Sequence, residues 1–374
     1  MAGAEEVYTK LTELERTHLN PDVYGDSCEL QTQSLRYYDG VAKIMQNITT
    51  KMVPMLDKMI DEIITNAGDQ KIRYPRQVKT IDVRFDGSVI SVFNDGPTIA
   101  IEMNKQQPTL YNAQVVFCEF GTSSNYDRTH KTTGGKNGIG AKLTNAFSNQ
   151  FVVECSCAKS KKYYVQVSKN CMHEINAPIV KAWKDIDPVF HNSFTRISFK
   201  PDYTRIGYGD TISDLEKDMI SKLIYMRCVY MSIYHGMPIT FNGDVINVSM
   251  KDYVEAMALA DGYNVSINAR GKLDVVDSAS TTSSTSPGSV AQLFPFKMKD
   301  ERGAAEKHDY EGFIFMAPDI GHKHMLLVNG VHCHAGGSLL DDIIDKLFNK
   351  EIREKIKKTL KWAAWRNAEI LKHL

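Results

Sequence analysis

Three observations predict an α+β protein in which helices cover one face of a β-sheet. Apolar residues at 52, 55, 56, 59, 60, 63, 64 and 67 follow the i, i+3, i+4, i+7 spacing of an amphipathic helix. Runs at 78–85, 88–93, 151–157, 162–168 and 194–199 have the length and apolar patterning of strands. Between the two groups of strands, Thr132 to Lys142 carries four glycines in seven positions, followed by the helix-compatible run Lys142 to Phe147. Helix, strands, glycine loop, strands, helix is the order of a helix-on-sheet sandwich.

The 374 residues leave room for two domains, and 43% hydrophobic with 24% charged residues is an ordinary globular balance. Lys+Arg and Asp+Glu both number 45, so no global positive field draws the chain to nucleic acid, and any DNA contact must use a local patch or another part of an assembly. Met1 to Arg16 is charged, and no run of about 18 apolar residues appears, which predicts a soluble chain with neither signal peptide nor membrane span. Cysteines at 28, 118, 155, 157, 171, 228 and 333 are odd in number and lack Cys-x-x-Cys spacing. That usage fits a reducing, intracellular compartment, each cysteine serving as a small buried hydrophobe.

Taken in order, residues 5–16 read as an arm leading into a short helix, with Asn20-Pro21-Asp22 as a stop and turn. Met52 to Ala67 is the amphipathic helix. Asp86-Gly87 is a turn pair that favours a tight hairpin between the strands on either side, and the second strand runs into Asn94-Asp95-Gly96-Pro97. Residues 212–234 read as a long helix ending near Gly236. A serine- and threonine-rich tract at 275–290 reads as a surface insertion, strands resume at 311–317 and 324–331, and 339–374 is a basic amphipathic helix or helix pair.

The candidate chemistry gathers around the glycine loop. Closely spaced glycines let a backbone approach a ligand without a Cβ in the way, and the helix that follows aims free N–H groups at it, which suits a phosphate. The loop is not the Gly-Lys-Ser/Thr P-loop, and taken alone it reads more readily as a flexible surface loop. Glu62 and Asn66 stand one helical turn apart on one face, so the carboxylate can take a proton from an attacking water while the amide oxygen is offered to Mg²⁺. A lone Glu-x-x-x-Asn is more commonly a solvated polar stripe. Asp95 ends a strand, where it can accept from an exocyclic amine such as that of adenine, or simply make a turn. Gly121-Thr122-Ser123-Ser124-Asn125-Tyr126 offers hydroxyl and amide groups to ribose or phosphate.

In combination these residues resemble the GHKL (Bergerat) ATPase superfamily, and within it the N-terminal ATPase region of type IIA DNA topoisomerases of the eukaryotic and large-DNA-virus kind. The resemblance is carried by Asp61-Glu62-Ile63 through Asn66-Ala67-Gly68-Asp69, by Gly121 to Asp127, and by Thr133 to Asn145. It continues through Phe194 to Asp202, Thr240 to Gly243, and Leu327 to Gly330 with Gly336-Gly337. It implies a GHKL domain with its N-terminal arm over 1–260 and a smaller α/β transducer-like domain over 261–374. It also implies a role for each matching residue. Glu62 is the general base, Asn66 the Mg²⁺ ligand, and Asp95 the adenine reader, supported by Thr195. Ser123, Ser124 and Asn125 touch ribose and phosphate. The backbone of Gly135, Lys136, Asn137, Gly138, Ile139, Gly140 and Ala141, with the ammonium of Lys142, holds the triphosphate. Tyr8 falls where the family's arm reaches the partner subunit's nucleotide. The implied function is the ATP-operated gate of a type II topoisomerase, which uses ATP and Mg²⁺, closes as a homodimer around double-stranded DNA, and works with cleavage domains elsewhere. The implied location is the nucleus in a eukaryote, or the cytoplasm, viral factory or virion for a virus.

Two positions depart from the family's pattern. Thr98 stands where the second motif ends in a glycine two residues after Gly96, and the chain contains no Gln-Thr-Lys, the loop by which the transducer brings a lysine to the γ-phosphate. The metal-binding acidic domain and the DNA-cleaving tyrosine domain are absent too, as expected of a fragment or of one chain among several. The alternatives are a MutL-like repair clamp, a heat-shock chaperone ATPase, or a non-catalytic nucleotide-binding module. A histidine kinase is disfavoured because His18 lacks a surrounding helix hairpin. His322, His324, His332 and His334 invite a metal-site reading. A two-residue turn at Asn329-Gly330, however, sets His324 opposite Ala335 and His334 opposite Met325, so the two pairs lie on opposite faces of the hairpin.

Overall fold

The computed structural model describes residues 10–120 and 139–260, and the backbone of six strands between 265 and 332. Tyr8, the 121–138 loop with Ser123, Ser124, Asn125, Gly135, Lys136, Asn137 and Gly138, the tract after Val275, His322, His324, His334 and the 339–374 segment lie outside the described residues. The chain forms two compact units, Met1–Tyr37 with Asn47–Asn247, and Tyr38–Gln46 with Val248–Leu374.

In the first unit, α1 (Glu13–Leu19) opens on a capping box, the Thr12 side chain accepting from Glu15 N–H while the Glu15 carboxylate accepts from Thr12 N–H. The expected stop follows, but Pro21 then starts a further helical turn, α2 (Pro21–Tyr24), because proline suits the first helical position. Strands β1 (Gln31–Asp39) and β2 (Ile44–Met52) pair as a two-stranded sheet that sequence reading did not anticipate.

The amphipathic helix is α3 (Pro54–Arg73), and Met55, Leu56, Met59, Ile60, Ile63, Ile64 and Ala67 are all buried as the spacing predicts. It runs past the expected end at Ala67 to Arg73, and Gly68 within it is a packing position, where a Cβ would lie 2.3 Å from Met231 Cε. Strands β3 (Ile81–Phe85) and β4 (Ile90–Asp95) form the expected antiparallel hairpin. The turn is wider than a two-residue one, since the ladder closes at Phe85 and Ile90 and Asp86 Oδ1 accepts from Ser88 and Val89 N–H. Next come α4 (Asn112–Cys118), α5 (Gly140–Ala146), β5 (Ser148–Cys157), β6 (Lys162–Lys169), β7 (Glu174–Ile175), β8 (Ile179–Ala182) and β9 (Phe194–Pro201). Helix α6 (Asp214–His235) ends just before Gly236 as expected, and β10 (Ile239–Phe241) and β11 (Asp244–Ile246) complete a nine-stranded sheet.

That sheet has the order β11-β10-β3-β4-β9-β5-β6-β7, with β8 also on β6, and β10 pairs with β3 in parallel. Helices α3, α5 and α6 form the covering layer, and α3 lies against β3 and β4. Arg227 of α6 ties this layer together, its Nη2 meeting both Asp57 oxygens at 2.6 and 2.8 Å while Nη1 stands 3.7 Å from Asp61. Removing one partner of such a buried pair costs on the order of 3–5 kcal/mol.

In the second unit, α7 (Met250–Ala260) is followed by β12 (Val265–Ile267) paired with β13 (Leu273–Val275), and β14 (Gln292–Asp300) paired with β15 (His308–Met316). Strands β16 (Leu327–Val328) and β17 (Val331–His332) pair Leu327 with His332 and Val328 with Val331, the register of the expected two-residue turn. No helix among the described residues is long and apolar enough to cross a membrane. The six described cysteines are free thiols; Cys118, Cys155, Cys171 and Cys228 are buried as expected, whereas Cys28 and Cys157 are only half-buried.

Candidate active site

Helix α3 buries its apolar face and leaves Glu62 and Asn66 half-buried, one turn apart. Glu62 Oε1 pairs with Lys58 Nζ at 2.5 Å, an i, i+4 contact along the helix. The other carboxylate oxygen lies over the first residue of α5: a Cβ on Gly140 would come within 1.7 Å of Glu62 Oε2 and 2.2 Å of its Cδ. The absence of a side chain at Gly140 is therefore what lets the carboxylate reach the head of the helix behind the glycine loop. Thr144 fastens the two helices, its Oγ1 donating to the carbonyls of Met59 at 3.3 Å and Gly140 at 3.1 Å.

Further along α5, Lys142 is only 1% exposed. Burial lowers its pKa to about 8, against the opposing pull of Glu119 and Cys118. Asn145 is fully buried and donates through Nδ2 to the Phe117 carbonyl at 3.1 Å, holding α4 against α5. Its Oδ1 is a buried acceptor without a hydrogen-bond partner among the described residues.

The second cluster sits where β4 and β9 meet. Asp95 Oδ1 accepts from the backbone N–H of Lys79 at 2.8 Å and of Thr80 at 2.9 Å. Both amides engage one oxygen, which aims the carboxylate. Thr195 pairs with Asn94 on one side and Cys155 on the other, and its Oγ1 is 2.7 Å from Oγ1 of Thr98. Gly96 N–H donates to the Ser193 carbonyl at 3.0 Å, binding the end of β4 to the start of β9.

The structure thus brings Glu62 to Gly140 with Asn66 one turn on, beside the sheet against which α3 packs, whereas the expected pairing of Asp95 with Thr195 is not seen: Thr195 lies opposite Asn94 and Asp95 opposite Phe194, so successive side chains put the two on opposite faces of the ladder. Ile139 and Gly140 are half-buried and Ala141 is buried at the start of α5. Sequence reading missed Lys58, although its i, i+4 spacing to Glu62 was visible, and missed that Thr98 would find Thr195, for which no local signal exists. Among the described residues no cluster of His, Cys, Asp or Glu has the makings of a self-sufficient metal site.

DNA topoisomerase 2 of Candida glabrata is 32% identical over 366 residues, 96% of this chain and 24% of that protein. The crystal structure of the ATPase region of Saccharomyces cerevisiae topoisomerase II matches with a TM-score of 0.73 at 28% identity, covering 99% of this chain and 85% of that one. The chain is a homologue of the topoisomerase II ATPase region. The ATPase and transducer domains of DNA topoisomerase II from Balamuthia mandrillaris match as well, with a TM-score of 0.75 at 26% identity over 100% of this chain and 84% of that one. The helix-on-sheet sandwich is accordingly the GHKL fold of topoisomerase II ATPase domains. No protein-family model matches. The chain spans about a quarter of the length of the curated topoisomerases it resembles, 24% in the C. glabrata case.

Proposed function

We propose that this chain binds ATP and Mg²⁺, hydrolyses the γ-phosphate, and serves as the ATP-operated gate of a type II DNA topoisomerase. The observation that carries the proposal is the Glu62 carboxylate over Gly140, since it sets a proton acceptor at the head of the helix behind the phosphate-type loop. Water attacks the γ-phosphorus, Glu62 takes the proton, and the bond from γ-phosphorus to the bridging oxygen breaks to release ADP. Asp95 accepts from the adenine amine through Oδ2. Ser123, Ser124 and Asn125 meet ribose and phosphate, and the backbone from Gly135 to Ala141 with Lys142 holds the triphosphate. Asn66 is half-buried on α3, one turn from Glu62. Its amide oxygen suits Mg²⁺, which takes one or two protein oxygens and fills its shell with phosphate oxygens and water. With Mg²⁺ bound, the charge of the triphosphate is partly neutralised.

In this proposal residues 261–374 form the transducer-like domain, the arm at Tyr8 reaches the partner's nucleotide, and two protomers close around double-stranded DNA supplied to separate cleavage domains. A non-hydrolysable ATP analogue with Mg²⁺ is expected to shift the chain from monomer to dimer by selecting the closed state, and Tyr8→Ala to weaken that shift. Light scattering with and without analogue measures it. A chain that stays monomeric at saturating analogue contradicts the gate.

The low pKa of Lys142 gives a pH dependence with a definite sign. Below pH about 8 the free protein carries the ammonium that a triphosphate needs; above it, binding must also take up a proton. ATP affinity is therefore expected to be flat up to about pH 8 and then to fall by roughly tenfold per unit, a slope that Lys142→Met removes. Titration calorimetry in buffers of different ionisation enthalpy reads the coupled proton.

A further inference from the structure

Glu62 has two carboxylate oxygens, and the structure gives them different surroundings. Oε2 stands over the head of α5, where a Cβ on Gly140 would come within 1.7 Å of it. Oε1 is taken by Lys58 Nζ at 2.5 Å, the two side chains being 38% (Lys58) and 20% (Glu62) exposed. The pair does little for the helix itself, since a lysine four residues before a glutamate is the less stabilising order of such a pair. Nor is Glu62 the only carboxylate near Lys58, because Asp61 stands three residues on along α3. Arg227 of α6 engages that side of the helix, meeting both Asp57 oxygens at 2.6 and 2.8 Å and standing 3.7 Å from Asp61. Lys58 is thereby left to Glu62. Burial pushes the Lys58 ammonium down, yet its pKa lies above the ordinary value, because Glu62 favours the charged form through its own charge and a hydrogen bond. The cation therefore stays on Oε1 throughout the neutral range.

We infer that Lys58 is a positioning residue for hydrolysis, which occupies Oε1 and so fixes the Glu62 side chain with Oε2 facing the attacking water. A glutamate left to itself samples several staggered rotamers, and each one that turns Oε2 away from Gly140 takes the base out of reach of the reaction. With Oε1 engaged, an O–H bond of the water breaks, the proton ends on Oε2, and the water oxygen keeps the electron pair with which it attacks the γ-phosphorus. Lys58 touches neither the water nor the nucleotide in this role and acts through Glu62. The inference rests on the proposal that Glu62 is the base.

The test is single-turnover ATP hydrolysis, with equilibrium binding of ATP and of ADP, all with Mg²⁺, on the full 374-residue chain and its variants. The variants are Lys58→Met, Lys58→Arg, Glu62→Ala, and Lys58→Met combined with Glu62→Ala. Methionine keeps the unbranched shape and removes the charge; arginine keeps the charge. Hydrolysis is expected to fall about 10- to 100-fold in Lys58→Met and to recover most of that loss in Lys58→Arg. The double variant is expected to be no slower than Glu62→Ala alone, because a lysine that acts through Glu62 has nothing left to position. Affinity for both nucleotides is expected to stay within a few-fold of the wild type. Lys58→Gln supplies the answer should Lys58→Met not fold. A wild-type rate in Lys58→Met, no recovery in Lys58→Arg, or a further loss in the double variant overturns the inference. So does a loss of affinity for ATP but not for ADP, which would put the ammonium on the γ-phosphate instead. Glu62→Ala separates the two levels. If it hydrolyses ATP as the wild type does, the base proposal fails; if it is slow while Lys58→Met is as fast as the wild type, only the role of Lys58 fails.

Discussion

Glu62→Ala is expected to lower ATP hydrolysis by the roughly 10²–10⁴-fold that the loss of a general base costs, while leaving ATP affinity within a few-fold of the wild type. The split follows from geometry. The carboxylate stands at the head of α5 and, in the role proposed for it, acts only on the attacking water, whereas the groups proposed to hold the base and phosphates belong to β4, the glycine loop and α5. Fold stability should hardly move, because the Lys58–Glu62 pair is a partly exposed contact along one helix, of a type that contributes about 0.5 kcal/mol. Single-turnover hydrolysis and nucleotide affinity, measured on the same preparation, decide the matter. A Glu62→Ala protein that hydrolyses ATP at the wild-type rate shows that another group takes the proton.

Features governed by local chemistry were legible before the structure. The period of the apolar residues from 55 to 67 marked the face that α3 buries, and the turn at Asn329-Gly330 carried the register of β16 and β17. The β1–β2 pair was not legible, because Gln31-Thr32-Gln33-Ser34 begins a strand that is largely exposed and has no apolar alternation to announce it. Nor was α4, a single short apolar run of a kind that strand and helix share. The parallel pairing of β10 with β3 joins segments far apart in sequence, and no local pattern encodes such a partner. The site divides in the same way. Glu62 and Asn66 could be seen as a pair because one helix turn separates them, and Asp95 because it ends a strand. The closeness of Glu62 to Gly140 and of Thr98 to Thr195 depends on helix seating on helix and strand pairing with strand, so only the fold reveals it.

That dependence makes Gly140→Ala the sharper test of the site. A methyl group at residue 140 would overlap Glu62 Oε2 at 1.7 Å, Cδ at 2.2 Å and Cγ at 2.8 Å. The obstructing atoms are the end of a flexible side chain, so the least costly response is for the carboxylate to swing away while α5 keeps its seat through Thr144 and Met59. The backbone of Gly140 can still take a helical conformation with alanine, which favours helices more than glycine does. Hydrolysis is therefore expected to fall about 10²-fold, as a displaced catalytic group typically costs, with little change in melting temperature. The effect should vanish in a Glu62→Ala background, where no carboxylate remains to be displaced, so the two substitutions together should hydrolyse ATP no more slowly than Glu62→Ala alone. Rates measured across that four-protein cycle distinguish displacement of Glu62 from damage to the phosphate loop. Full additivity would mean that Gly140 serves the nucleotide directly and that its contact with Glu62 is incidental to the chemistry.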